Sequence, residues 1–121
     1  MLVLSHGGGR RMKESRVTID RTIVEFLTDQ AEFSKRTYGS DEHTKGVLEH
    51  IRKELEEIES DPDDVVEWID VAILAFDGAR RRGYSPRQIA DALETKLSVN
   101  KARKWPDWRT AGDGPIEHVK E

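Results

Sequence analysis

The stretch EWIDVAILAFDGARRRG, residues 67–83, is apolar almost all the way round a helix, yet Glu67, Asp70 and Asp77 share one sector of it. A helix that is hydrophobic on every side is a buried helix. Val65, Val66, Trp68, Ile69, Val71, Ala72, Ile73, Leu74, Ala75, Phe76 and Ala79 cover nearly the whole circumference, with Leu74 among the acids. The three carboxylates are therefore expected to lie against protein rather than water. A buried, unpaired carboxylate is costly or takes up a proton. Such a chain has to fold so that cations meet these acids.

The segment before it adds two more acids. Val47, Leu48, Ile51, Leu55 and Ile58 form one helical stripe that ends before the Asp61-Pro62 break. Glu54 falls about 20° from Val47 at the edge of that stripe, with each residue turning the helix by ~100°. Glu57 and His50 lie just beyond it on the same side, whereas Glu56 and Glu59 point away as solvated acids. Glu54 with Glu57, and Glu67 with Asp70, are pairs at i, i+3 on consecutive helices, their members roughly 5–6 Å apart. An oxygen-only set of this kind suits a hard divalent ion, Mg²⁺ or Mn²⁺. Interhelical ion pairs with Arg and Lys are the structural alternative. His50 reads as core packing or as an outer partner of the acids, since a hard ion does not favour imidazole.

Four helical segments follow from periodicity and end signals. The first runs from about Ile19 to Tyr38, with Gly39 as its stop; the second begins near Thr44. The third opens in Asp63-Asp64 and continues to Gly83, with Arg80 to Arg82 set favourably against its carboxyl-end dipole. The fourth has Ser85 as N-cap, Pro86 in the first helical position and Gln88 three after the cap, and extends to about Arg103. Trp105-Pro106 ends it, and the turn-rich tail holds one helical turn at Ile116 to Val119. No repeat or β-alternation competes, so the expected fold is an all-α bundle of four to five helices. Residues 18–121 are read as a single domain with an extended C-terminal segment, preceded by a flexible tail over residues 1–17. In that tail Met12 is a candidate natural start. The HGGG run at His6 to Gly9 is read as leader, because no GxSxG nucleophile elbow accompanies it.

Composition narrows the partners. Hydrophobic and charged residues each make up 36% of the chain, which suits a globular helical protein rich in surface ion pairs. A formal net charge of −4 argues against nucleic acid or an anionic membrane as the main partner. The absence of cysteine excludes disulfides and thiolate metal sites, and no apolar run approaches the roughly 18 residues of a membrane span. A cytoplasmic setting is expected.

Two further faces carry candidate binding residues. On the fourth helix the inward stripe begins with Ile89, Ala92 and Leu93 and then becomes Lys96, Asn100 and Arg103, an anion site or the point where the helix leaves the core. On the first helix Gln30, Phe33 and Ser34 share a face that reads as a base-binding surface or as packing. Trp105 and Trp108 are open to the same two readings. Asp77 is placed to meet a sugar or an outer position of a metal site, or to make a structural hydrogen bond.

With ExxE on one helix and ExxD on the next, the chain resembles the all-α nucleoside triphosphate pyrophosphohydrolases of the MazG-like and dimeric dUTPase-like superfamily. GVLEHIRKELEEI, EWIDVAILAFDGARRRG, KLSVNKARKWPDW and the closing IEHV are similar to the phage dATP/dGTP diphosphohydrolases of the MazZ type, over about Phe26 to Val119. The spacer between the two motifs, Ile58 to Val66, is shorter than is usual in the superfamily. The resemblance implies hydrolysis of a nucleoside triphosphate, with a purine deoxynucleotide preferred, to the monophosphate and pyrophosphate. It further implies that Glu54, Glu57, Glu67 and Asp70 hold two or more Mg²⁺ or Mn²⁺ ions, with Glu57 as the acid that orients or deprotonates the attacking water. Lys96, Asn100 and, more weakly, Arg103 would take phosphate oxygens, and the subunits would assemble as a dimer or tetramer. A non-catalytic helical assembly protein, and a phosphohydrolase cutting another bond, are the rival readings.

Overall fold

The computed structural model describes residues 20–120, all helical or irregular, with no strand among them. The tail expected over residues 1–17, with His6 to Gly9 and Met12, lies outside the described residues. Four helices follow in order: α1 (Ile23–Tyr38), α2 (Thr44–Ser60), α3 (Val65–Arg81) and α4 (Pro86–Ala102), then one 3-10 turn, Trp108–Thr110. This is the all-α architecture that the periodicity predicts.

The helix ends follow local chemistry. α1 starts at Ile23 rather than near Ile19 because Thr22 and Glu25 form a capping box. The Thr22 hydroxyl accepts from the Glu25 N–H at 3.1 Å, and the Glu25 carboxylate accepts from the Thr22 N–H at 2.8 Å. Asp64 caps α3 by accepting from the Val66 N–H at 3.0 Å, and Ser85 and Gln88 cap α4 reciprocally at 3.1 and 2.9 Å. Past α3, Gly83 takes a φ of +99°, the stop that its position in the sequence predicts. The helical turn expected at Ile116 to Val119 does not form. Instead Asp107 caps the 3-10 turn at Trp108, and the Val119 N–H donates to the Lys104 carbonyl at 2.8 Å.

The chain divides into two compact units, one through Ala90 and one from Asp91 onward. In the first unit α3 is the central element, packing on α2 and on α1. Val47 of α2 meets Gly78 of α3, where a Cβ would stand 3.3 Å from Val47 Cγ1, while Glu54 meets Glu67 and Asp70. The two helices therefore run antiparallel, and glycine lets them approach closely at one end. Leu27, Val47, Ile58, Val66, Leu74 and Ala90 are the buried apolar residues. A fully buried leucine such as Leu27 or Leu74 contributes roughly 1.5–3 kcal/mol.

Two expectations about faces change. The all-round apolar α3 is buried on its acidic side: Glu67, Asp70, Leu74, Asp77 and Arg81 face in, whereas Val65, Trp68 and Ile69 are exposed. The reason lies in where the cations and hydroxyls are, since Ser34, Arg80 and Arg81 meet Asp77 inside the unit. On α2 the buried line is Val47, Glu54 and Ile58, with Leu48 and Leu55 exposed. On α4 only Ala90 is buried; Leu93 and Lys96 are exposed and Asn100 is half-buried. The second unit is tied internally by the Trp105 indole N–H donating to the Asn100 carbonyl at 2.7 Å and by edge contact of Trp105 with the His118 ring.

Candidate active site

The α2–α3 hairpin brings Glu54, Glu67 and Asp70 to one point. Each offers a carboxylate oxygen, these oxygens lie within 4.8 Å of one another, and all three residues are buried. The register follows from the helical repeat: Glu54 is seven residues from Val47, nearly two whole turns, so it returns to the face that Val47 buries. Glu67 and Asp70 are one turn apart and stack on the same side of α3. Glu57 sits three residues beyond Glu54, off the buried line that continues to Ile58, and is exposed and outside this group of three.

The donor set is all carboxylate oxygen, the chemistry that hard divalent ions take. Three such groups drawn together out of water fit a cation of this kind, because their mutual repulsion falls when positive charge stands among them. His50, one turn before Glu54, is half-buried, with Nε2 3.9 Å from Glu54 Oε1. Burial, together with nearby Lys53, holds its imidazole below the ordinary histidine value.

Asp77 lies elsewhere on the same helix and has a different job. It is completely buried and accepts from the Ser34 hydroxyl at 2.5 Å, from Arg80 Nε at 2.8 Å and from Arg81 Nε at 2.8 Å. Burial alone would raise the Asp77 carboxyl, but the hydrogen bonds from Ser34, Arg81 and Arg80 outweigh it and hold the group below its ordinary value of 3.8. The arginines extend the network to the α1–α2 connection: Arg80 donates to the Gly39 carbonyl, Arg81 to the Tyr38 and Asp41 carbonyls and the Asp41 carboxylate, and Arg82 pairs with Glu42. Of the open readings of Asp77, this geometry is that of the structural hydrogen bond. Nothing in the local pattern announces its partner, which is 43 residues away.

The face of α1 open to base-binding or packing is split. Ser34 turns inward to Asp77, while Gln30 and Phe33 line an open groove of about 330 Å³ with Arg21, Phe26, Asp29 and Arg36. Arg21 lies over the Phe26 ring and pairs with Asp29 at 3.0 Å. Lys96, Asn100 and Arg103 follow one another along α4 and just past its end, in the second unit.

Comparison with known proteins agrees with the residues. A 63-residue segment is 43% identical to the Eaa protein of Salmonella phage P22, covering 51% of this chain and 19% of that protein. The chain thus spans about a fifth of the length of the curated relative it matches. No solved structure matches. The family model for dATP/dGTP pyrophosphohydrolase matches residues 26–121, a span that holds all three buried acids, and the chain belongs to that family of hydrolases.

Proposed function

We propose that this protein hydrolyses purine deoxynucleoside triphosphates, dATP and dGTP, to the monophosphate and pyrophosphate at the Glu54, Glu67 and Asp70 cluster. The observation that carries this reading is the convergence of three buried carboxylates inside the span matched by the family. These three residues would hold Mg²⁺ or Mn²⁺, two or more ions with Glu57 as a further ligand. A divalent ion in that position supplies positive charge to the phosphate oxygens and makes a water molecule more acidic. The rest of the work falls to side chains. Glu57, exposed one turn beyond Glu54, orients or deprotonates the attacking water. Lys96 and Asn100, with Arg103, bind phosphate oxygens, as the resemblance and their shared stripe along α4 and just past its end both suggest. Gln30 and Phe33 pair an amide with an aromatic ring, a combination able to hydrogen-bond and stack on a base.

The site is proposed to work in an assembly of identical subunits. Leu48, Leu55, Val65, Trp68 and Ile69 leave large apolar side chains exposed on the two helices that carry the acids. No helix among the described residues is long and apolar enough to cross a membrane, and a phage-infected host cytoplasm is the proposed setting.

The test is product analysis. The protein is incubated with dGTP, dATP, dCTP and dTTP separately, in Mn²⁺, Mg²⁺ or EDTA, and products are resolved by ion exchange, with Glu54→Gln and Asp70→Asn alongside. Monophosphate plus pyrophosphate from the purine substrates, dependent on metal and lost in both variants, is the expected outcome. Release of triphosphate or inorganic phosphate would replace the proposed bond, and no turnover from folded protein would leave a helical assembly protein.

A further inference from the structure

A cleft of about 340 Å³ lies in the first unit, away from the acids, lined by Thr28, Glu32 and Lys35 of α1, Ser40 of the connection, Arg80 of α3 and Pro86 of α4. Arg80 is ten residues beyond Asp70 on α3, about 15 Å along the helix axis. Its side chain is only 10% exposed, and its guanidinium is fixed in place: Nε on Asp77, Nη2 on Ser34 and the Gly39 carbonyl. Nη1 makes no hydrogen bond among the described residues. Lys35, which also lines the cleft, is in no ion pair among them. Ser40 adds a hydroxyl, and Pro86 brings the first turn of the 17-residue α4, the positive end of its dipole.

We infer that this cleft is a second, metal-independent site for a small phosphate-bearing anion. A guanidinium held in advance by buried partners loses little freedom on binding, and its remaining donor is charge-assisted. Lys35 and Arg80 line the cleft against Glu32, and the Arg80 charge is already shared with Asp77, so Lys35 brings the positive charge not yet paired. So small a positive charge suits inorganic phosphate or a phosphate monoester and disfavours a triphosphate, whose extra charge would face Glu32. The assignment is independent of the catalytic reading, since binding here needs neither metal nor turnover.

The experiment is isothermal titration of the full-length protein in EDTA at constant ionic strength, with inorganic phosphate and with dGMP in separate runs. The variants are Lys35→Ala, Ser40→Asp and Glu67→Gln, each checked by its melting curve. Arg80 is left intact because it also holds the connection between α1 and α2. Saturable binding of at least one ligand, weakened by roughly tenfold or more in Lys35→Ala, weakened also in Ser40→Asp and unchanged in Glu67→Gln, is the expected result. Tighter binding of phosphate marks a free-ion site; tighter binding of dGMP marks a monoester site. The inference is overturned by no saturation at millimolar ligand, by full binding in Lys35→Ala, or by loss of binding in Glu67→Gln, which would assign the anion to the acid cluster.

Discussion

Asp77 shows how one buried carboxylate can order a region of the fold. Its two oxygens take donors from one hydroxyl and two guanidinium groups, and through those groups it fixes residues 38–42 onto the end of α3. Asp77→Asn removes the negative charge and leaves Arg80 and Arg81 buried without it. The expected cost is about 3–5 kcal/mol, measured by urea denaturation at neutral pH. The pH dependence has a definite sign. The folded carboxyl titrates below its ordinary value of 3.8, so its stabilisation is complete above that value and is lost as pH falls through the lower, folded one. The parent should therefore lose stability steeply below about pH 4, and Asp77→Asn should flatten that part of the profile. An unchanged acid limb in the variant would show that other carboxylates set it.

At the scale of elements, α3 combines an acidic interior with an apolar exterior, and its end is set by backbone geometry. Gly83 holds a φ of +99° with nothing within 4 Å of the position of a Cβ, so Gly83→Ala tests the backbone alone. A loss of about 1–2 kcal/mol is expected, read as a lower melting temperature; an unchanged one would place the stop in Arg82 or Tyr84. Much of this layer was legible in the chain. Asp64, and Ser85 with Gln88, mark their boundaries with side chains that satisfy orphan backbone groups, Gly83 does so by lacking a Cβ and taking positive φ, and these signals act locally. Glu54 meeting Glu67 and Asp70 was legible as well, because a short connection forces α2 and α3 to be neighbours and the helical repeat sets which sides meet. Thr22 with Glu25 carried an equally local signal that a start near Ile19 overlooks. What periodicity does not encode is the identity of the facing surface. Ser34 and Gln30 look alike on a wheel of α1, yet Ser34 meets Asp77 inside and Gln30 lines an open groove. Likewise, an apolar circumference on α3 predicts burial without saying which side a single chain buries.

For the whole molecule, that uncovered exterior is apolar surface left in water. Val65, Trp68 and Ile69 are 63%, 54% and 46% exposed, and each would gain by removal from water. Ile69→Glu should convert the proposed assembly to monomer in sedimentation velocity while its helical circular dichroism stays that of the parent. A parent that sediments as a monomer would remove assembly from the reading of the site. One of these exposed residues also carries information out of the molecule. The Trp68 indole is pinned by its N–H to the Pro62 carbonyl at 2.9 Å, between Glu67 and Asp70 in the chain. The only other tryptophans, Trp105 and Trp108, belong to the second unit. With those two replaced by phenylalanine, the protein becomes a single-fluorophore sensor whose light comes from beside the carboxylates, and paramagnetic Mn²⁺ would report its own arrival as a dimming of that emission.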